Sequence, residues 1–245
     1  MKEDILKNII VKRNSVELEV YGDYALFSDP VTRVGGEKFT YQVPTYQALK
    51  GILESVYWKP TFIWYIDSVR ILNKIQTEGK GIRPIKLSGG NELAFYTYLK
   101  DVRYQVLAHF EWNENRLNLA QDRDENKHHN IAKRMLEKGG KRDIFLGTRE
   151  CQGYVAPSKF GDGEGYYDDY GELNFGFIFH GFNYPDEIGG GKFGVRFFEC
   201  KMQDGIIIFP PPNGEEIKYR EIRDNVSVKA FNIDANMIIA DAEEN

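Results

Sequence analysis

The sequence predicts an α+β fold, because two segments with helical periodicity stand among several segments that alternate apolar and polar residues as β-strands do. The chain has 245 residues, of which 42% are apolar and 14% aromatic, enough for one large core or two small ones. Its composition changes near residue 155, beyond which glycine, aromatic and acidic residues are frequent. We therefore expect one domain at residues 1–155 and a second, β-rich domain at residues 156–245.

The amino-terminal part begins with a strand and a helix. Residues 16–27 alternate apolar and polar positions and then become aromatic, which predicts a strand with a break at Gly22. Residues 45–58 carry apolar side chains at spacings of three and four, which predicts a helix that Thr45 caps and Pro60 ends. A mildly basic loop with two adjacent glycines lies between these elements.

The next elements continue this alternation of strands and helices. β-branched and aromatic residues predict strand at residues 61–66 and 69–72, and a long alternating pattern predicts another strand at residues 95–112. A second helix covers about residues 125–138 and ends at Gly139-Gly140, a pair suited to a left-handed carboxyl cap. Two short strands follow this helix.

Strand, helix, strand, strand, helix, strand is the order of a split βαβ or ferredoxin-like fold, which RNA-recognition modules also use. The order alone assigns no function, because this fold hosts many activities. Further strands are predicted at residues 173–182, 195–202 and 206–209, the last two joined by an Asp204-Gly205 hairpin turn. Residues 161–170 predict a flexible surface loop rather than a phosphate cradle, since four acids accompany the glycines.

The net charge of −5 averages over two unlike parts of the chain. Residues 1–150 carry 24 Lys and Arg against 20 Asp and Glu, whereas residues 151–245 carry 8 against 17. A local basic patch follows the second helix start and consists of Lys133, Arg134, Lys138, Lys141, Arg142 and Arg149. Such a patch attracts nucleic-acid phosphates, although a run of this kind taken alone is more often a solvated helix face.

Cysteine content and apolar runs bear on the compartment. The chain has two cysteines, no apolar signal segment at its amino terminus and no apolar run near 18 residues. We therefore expect a cytoplasmic protein without a membrane partner. No paired-cysteine spacing and no His-Glu-x-x-His motif occurs, so we expect neither a bound metal nor another cofactor.

The segment Lys127-His128-His129 holds two of the four histidines at the start of the second predicted helix. A fixed cation and a group that titrates near neutrality would lie there beside helix amides, which suits binding a phosphate and moving protons around it. With RNA as substrate, the 2′-hydroxyl would attack, leaving a 2′,3′-cyclic phosphate and a 5′-hydroxyl. A solvated helix cap is the alternative, and adjacent histidines point about 100° apart, so both cannot serve equally.

Other candidate residues have structural alternatives. His109 and His180 lie in apolar and aromatic strands, which is typical of buried structural histidines. Tyr46 follows Thr45 at a helix start that we expect to be exposed, outside the apolar stripe of that helix, and packing against the next loop is its alternative. Its phenol, with an ordinary pKa of about 10, would need a neighbouring cation to activate a 2′-hydroxyl.

Several segments together resemble the CRISPR-associated Cas5 family of the type I-C (Dvulg) subtype. The matching segments span nearly the whole chain, and the first helix with the block Tyr57-Trp58-Lys59-Pro60 is the specific one. They are residues 19–27, 43–60, 99–104, 147–151 and 195–199. The resemblance implies an RNA-recognition-like (ferredoxin-like) amino-terminal domain with a β-rich carboxyl-terminal extension.

The resemblance also implies metal-independent cutting of CRISPR precursor RNA within the repeat hairpin, followed by retention on the 5′ handle of the CRISPR RNA. Its partners would then be the repeat RNA and the backbone and large subunits of the Cascade complex. In that subtype the cutting residues are a tyrosine at the start of the first helix and an adjacent lysine and histidine before the second. These match Tyr46, Lys127 and His128, and His129 leaves the register ambiguous.

The further candidates for RNA contact are basic residues and the second histidine of the pair. They are Arg33, Lys38, Lys50, His129, Lys133, Arg134, Lys138, Lys141 and Arg142. Double-stranded DNA stays an alternative polymer, because basic patches attract either. A non-catalytic subunit that only caps the guide-RNA handle is the alternative function, and the joint presence of Tyr46, Lys127 and His128 favours the enzyme.

Overall fold

The computed structural model describes residues 5–7, 9–33, 36–86 and 88–240. The helices are α1 (Tyr46–Val56) and α2 (Glu125–Glu137), with single turns at Pro30–Arg33 and Pro185–Ile188 and a 3₁₀ helix at Leu117–Asp122. The strands are β1 (Val16–Ala25), β2 (Phe62–Ile71), β3 (Thr77–Ile82), β4 (Ala94–Trp112), β5 (Ile144–Phe145), β6 (Gln152–Pro157), β7 (Glu172–Asn183), β8 (Phe193–Gln203), β9 (Ile206–Ile208) and β10 (Lys218–Arg223). Among the described residues, none of the helices has the length and apolar character needed to cross a membrane.

The strands form one antiparallel sheet in the order β10-β8-β9-β2-β4-β1-β6-β5, with β3 also paired to β4 and β7 to β8. The long strand β4 lies at its centre and pairs with β1, β2 and β3. Helix α1 connects β1 to β2 along the chain, and α2 lies between β4 and β6. Four of the strands therefore lie side by side in the order β2-β4-β1-β6. One long helix joins β1 to β2, and the other lies in the connection from β4 to β6.

The core lies between the sheet and the two long helices. On β1 the alternating residues Val16, Leu18 and Val20 are buried, as expected for a strand with one face in a core. Helix α1 packs on β2, and α2 packs on β1 and β6. The buried stripes of the helices are Leu49, Ile52, Leu53 and Val56 on α1, and Ile131, Ala132 and Leu136 on α2.

Local signals for the helix ends are confirmed. Thr45 is the N-cap of α1, and its hydroxyl accepts a hydrogen bond from the Ala48 amide at 3.2 Å. Gly139 follows α2 with a φ of 83°, a left-handed conformation in which glycine meets no Cβ penalty. The amides of Gly139 and Gly140 bond to carbonyls of the last helical turn. Both helices thus start and stop where the sequence predicts.

Two strands escaped the sequence prediction, β3 and β10. Every residue of β10 is exposed, and β3 alternates between exposed and half-buried positions. Neither strand carries the apolar alternation that marks a strand from sequence. They exist because the long strands β4 and β8 offer them free edges to pair with, and that information lies outside their own sequences.

The carboxyl-terminal strands join the same sheet as the amino-terminal ones. Strand β9 pairs with β2 through Ser68 and Ile208, and the β8–β9 hairpin turns at Asp204-Gly205 as predicted. The sheet is therefore continuous across residue 155. The division into domains at 1–155 and 156–245 stays a prediction, and it does not coincide with a break in the sheet.

The glycine-rich loop at residues 161–170 lies mostly on the surface, as the sequence predicts, and the Arg70 side chain ties it to the sheet. Its flexibility stays a prediction. The guanidinium of Arg70, fully buried on β2, donates to both carboxylate oxygens of Asp168 at 2.7 and 2.9 Å. It also donates to the carbonyls of Asp162 and Gly163 at 2.9 Å. The sequence did not reveal this role because Arg70 lies about 100 residues earlier in the chain.

Candidate active site

Lys127, His128 and His129 lie near the start of α2, as the sequence predicts. The amide of Lys127 donates to the carboxylate of the N-cap residue Asp124 at 3.1 Å. Arg13 from the amino-terminal segment also reaches this turn and pairs with Glu125 at 3.6 Å. The helix start therefore carries its own carboxylates, and phosphate binding at this turn stays a prediction.

His128 is fully buried, and both of its ring nitrogens have hydrogen-bond partners. Nε2 donates to the Asp122 carbonyl at 2.7 Å, since a carbonyl can only accept. Nδ1 forms a hydrogen bond with the Tyr57 hydroxyl at 2.8 Å. The rings of Phe62, Phe110 and Trp112 surround the imidazole. His128 is thus held by hydrogen bonds at both ring nitrogens inside an aromatic cage.

Asp122 places a negative charge next to this imidazole. Its carboxylate lies 3.5 Å from His128 Nε2 and accepts from the Thr61 hydroxyl at 2.6 Å and the Ala240 amide at 2.7 Å. Burial alone raises the pKa of this carboxyl, but the hydrogen bonds from His128, Thr61 and Ala240 outweigh burial and leave the pKa below its ordinary value. Asp122 therefore stays ionised and can stabilise a proton that His128 takes up.

Tyr46 is also buried, which corrects the expectation of an exposed helix start. Its ring stacks on His180 at 4.1 Å between centroids and meets the edge of Phe209. Its buried hydroxyl faces the backbone of Ile66 without a hydrogen bond of ordinary geometry. Burial raises the pKa of the phenol well above its usual range, with the nearby Arg196 acting in the opposite direction. Tyr46 is therefore protonated at neutral pH.

Tyr46 and His128 are not brought together. Tyr46 begins α1, whereas Tyr57, the partner of His128, follows its end. Eleven helical residues span about 16 Å, so the two tyrosines stand at opposite ends of one helix. Tyr57 and Asp122 are the site residues that sequence reasoning missed. The block Tyr57-Trp58-Lys59-Pro60 was the available signal for Tyr57, and Asp122 had none.

His129 and Lys127 flank the buried histidine. His129 is half-buried, and its Nε2 donates to the Ser15 carbonyl at 2.9 Å, which joins α2 to the chain before β1. Lys127, the residue directly before His128 in the helix, is also half-buried. The two adjacent imidazoles therefore have different surroundings, as the helical rotation between neighbours requires.

The proposed RNA contacts lie in different surroundings. Lys133, Arg134, Lys138, Lys141 and Arg142 are exposed and form a basic surface from the second half of α2 into the next loop. Lys38 is half-buried, with its ammonium 4.9 Å from the ring centre of Tyr96. The side chain of Arg33 lies outside the described residues.

Lys50 departs from the expectation of an RNA contact. It is only 2% exposed, and its ammonium donates to Glu187 at 2.5 Å and lies 3.8 Å from Glu54. An RNA phosphate would have to replace a carboxylate in the interior to reach it. The sequence shows that Lys50 is charged but not that it is buried, because its partner Glu187 lies far along the chain.

His109 and His180 are buried and hydrogen-bonded, which confirms the prediction that they are structural. Nδ1 of His109 bonds to Asp67 at 2.9 Å, and its Nε2 lies 2.7 Å from the Lys12 ammonium. His180 donates to the Pro210 carbonyl at 3.0 Å and accepts from Arg196 at 3.3 Å. Burial, reinforced by Arg196, lowers the pKa of His180 to about 3.

Side chains suited to metal binding are dispersed. In the part of the chain that the structure describes, no group of three or more His, Cys, Asp or Glu residues is arranged to hold a metal ion. Cys151 and Cys200 are both buried as free thiols. The polar groups that converge near α2 are Tyr57, His128 and Asp122, a set suited to proton transfer.

Known proteins share this sequence and fold. A family model described as a CRISPR-associated protein of the Cas5 group matches residues 15–210. A relative from Mannheimia succiniciproducens, named CRISPR pre-crRNA endoribonuclease Cas5d, is 28% identical over 238 residues, or 84% of this chain and 99% of the relative. A Thermus thermophilus protein of the same name is 29% identical over 160 residues, or 61% of this chain and 65% of that protein.

Two solved structures agree with this. One is a crystal structure of a CRISPR-associated protein, which superposes with a TM-score of 0.70 at 35% identity and covers 83% of this chain and 96% of its own. The other is a functionally uncharacterized protein from Streptococcus mutans, with a TM-score of 0.70 at 40% identity, covering 86% of this chain and all of its own (100%). Sequence and fold therefore lead to the same group of proteins.

Proposed function

We propose, from the premise that this chain belongs to the CRISPR-associated Cas5 family, that it is an endoribonuclease that cuts CRISPR precursor RNA within the repeat hairpin. The family match over residues 15–210 carries this proposal. Relatives named for that activity support it, one of them aligned over 99% of its own length. The exposed basic surface on α2 and the following loop supplies the positive charge that an RNA backbone needs.

The chemistry we propose is attack by the RNA on itself. The 2′-hydroxyl loses its proton and attacks the neighbouring phosphorus, the bond from phosphorus to O5′ breaks, and O5′ takes up a proton. His128 would exchange one of these protons, and Lys127 would stabilise the extra negative charge on the phosphate. Asp122 beside His128 would stabilise the imidazolium. No metal takes part in the proposed step.

This assignment requires a change at the site, because His128 is enclosed in the free protein. Its Nε2 faces the Asp122 backbone and its Nδ1 the Tyr57 phenol, and RNA must reach one of these nitrogens. Tyr46 stays in the proposed catalytic set on the family resemblance alone. Its place at the far end of α1 gives packing as the alternative role.

The arrangement of the central strands and the two long helices also supports RNA recognition. We infer that the central strands β2-β4-β1-β6 with α1 and α2 form a ferredoxin-like unit, whose defining order they reproduce. The remaining strands would be the β-rich extension. We further propose that the chain acts in the cytoplasm, stays on the 5′ handle and joins the backbone and large subunits of Cascade. A subunit that binds the handle without cutting is the alternative.

Cleavage of repeat RNA in excess EDTA tests the proposed function. We expect purified protein to cut at one position on the 3′ side of the hairpin, with a 2′,3′-cyclic phosphate on one product and a 5′-hydroxyl on the other. End-labelled RNA resolved on a denaturing gel gives the position and the product ends. Unrelated hairpins serve as controls for specificity. Intact RNA under conditions where binding is saturated would leave only the binding role.

Replacement of Tyr46 by phenylalanine separates chemistry from packing. The variant removes a buried hydroxyl without an ordinary hydrogen bond, so we expect the free energy of unfolding to stay the same or rise by about 1 kcal/mol. If the hydroxyl acts on RNA, cleavage slows at least about tenfold. Urea unfolding and single-turnover cleavage measure the two effects. Tyr104→Phe, at another buried tyrosine, is the matched control; cleavage by Tyr46→Phe at the wild-type rate would remove Tyr46 from the site.

A further inference from the structure

The segment before the carboxyl terminus, residues 231–240, is called here the strap, and it ends against the candidate active site. The Ala240 amide donates to the Asp122 carboxylate at 2.7 Å, and the same carboxylate lies beside His128. The ammonium of Lys59, which is buried, donates to the Ile238 carbonyl at 2.5 Å. The strap therefore covers the loop after α1 and the residue that faces the imidazole.

The groups around Phe231 of the strap resemble those that bind a nucleotide base. The ring of Phe231 meets the edge of Trp58 at 6.0 Å between centroids. The Arg116 guanidinium lies 5.3 Å and the Lys229 ammonium 5.1 Å from the centre of the same ring. The Asn118 amide donates to the Phe231 carbonyl at 2.7 Å. Aromatic and cationic groups around a flat ring are what single-stranded RNA binding uses for an unpaired base.

A cavity of about 540 Å³ lies between the strap and the loop after α1. Its walls are Trp58, Lys59 and Pro60 on one side and Phe231 with residues 234–238 on the other. This volume falls in the range of small-molecule and cofactor sites. The match to the family model ends at residue 210, so the strap lies outside the matched part of the chain.

We propose that this surface binds one unpaired nucleotide of the repeat RNA beside the cut, and that the strap occupies its place in the free protein. The base would replace Phe231 next to Trp58 and Arg116. A phosphate oxygen would replace the Ile238 carbonyl at Lys59. Withdrawal of Ala240 frees one hydrogen-bonding position on Asp122 and opens a path towards His128. The inference rests on the proposed function, since it names where that substrate binds and what admits it.

Amide hydrogen exchange of the full-length protein tests whether RNA displaces the strap. The ligand is repeat RNA with 2′-deoxyriboses on the 3′ side of the hairpin, which cannot cut itself, at a concentration shown by anisotropy to saturate. We expect peptides that contain residues 231–240 to exchange at least about tenfold faster when RNA is bound, and peptides that contain Trp58 to exchange more slowly. Unchanged or slower exchange in the strap overturns the proposal, as does failure of the RNA to bind.

Two substitutions give an independent readout. Phe231→Ala weakens the strap and is expected to raise repeat RNA affinity about threefold or more, whereas Trp58→Ala is expected to lower it about tenfold. Phe177→Ala, an exposed phenylalanine on β7, is the matched control and should leave affinity unchanged. Equal affinity of all three variants and the wild type contradicts the site. Faster strap exchange together with uncut RNA in EDTA would reject the proposed cleavage and keep the nucleotide site.

Discussion

His128→Ala is expected to lower the single-turnover rate of repeat RNA cleavage by about 10²-fold or more while RNA binding persists. The reason is the position of the imidazole between the Tyr57 hydroxyl and the ionised Asp122, which allows it to accept a proton and to hold it. The exposed basic residues that would bind the RNA backbone are untouched by this change. Cleavage in EDTA and fluorescence anisotropy measure the two properties on the same preparation.

Because His128 is buried, the same substitution also affects stability. It removes a large side chain from an aromatic cage and breaks the hydrogen bond with the Tyr57 hydroxyl, which costs about 2–4 kcal/mol. Cleavage must therefore be measured at a temperature where circular dichroism shows the variant to be folded. Tyr57→Phe breaks the same hydrogen bond and retains the imidazole, so it separates the loss of that bond from the loss of the imidazole.

Three outcomes are informative here. A folded His128→Ala variant that cuts at the wild-type rate excludes the imidazole from the reaction. A larger loss in His129→Ala would move the assignment to the second histidine, which is held to the Ser15 carbonyl. A loss in Tyr57→Phe that follows stability alone, while His128→Ala loses cleavage in the folded state, supports the proposed role of His128.

Asp168→Ala is expected to lower the free energy of unfolding by about 3–5 kcal/mol. The substitution leaves the guanidinium of Arg70, which is fully buried, without the carboxylate that binds it in a bidentate way. The carbonyls of Asp162 and Gly163 continue to accept hydrogen bonds but carry no full charge. Urea unfolding at neutral pH, followed by circular dichroism, measures the change.

Two controls isolate the buried charge as the cause. Asp162→Ala removes an exposed carboxylate from the same loop and keeps the carbonyl that Arg70 uses, so we expect a change within about 0.5 kcal/mol. The double variant Arg70→Met with Asp168→Leu removes both charges and should recover much of the loss. An Asp168→Ala variant within about 1 kcal/mol of the wild type would show that the loop is not anchored by this pair.

The positions of most strands and both long helices were predictable because their signals are local. The spacing of Leu49, Ile52 and Leu53 and the cap at Thr45 fix α1, and the glycine pair after Lys138 ends α2. Strand β3 was not predictable in this way, because it pairs with β4 without an apolar pattern of its own.

The candidate site was predictable only in part. The sequence singled out Lys127 and His128, and the structure places both in the first turn of α2. The sequence could not show that His128 is enclosed or that Tyr57 is its hydrogen-bond partner. Those facts depend on how the end of α1 meets the start of α2 across the core, and no spacing along the chain encodes that meeting.

The sequence by itself determined the family, the order of the elements and the residues with suitable chemistry, because these depend on local composition and periodicity. Tertiary structure alone decided which of those residues share an environment. It separated Tyr46 from His128 by the length of one helix and buried Lys50 against Glu187. It also brought Asp122 and Ala240 together from distant parts of the chain. Burial and pairing of charges follow from long-range packing, and they decide which groups RNA can reach.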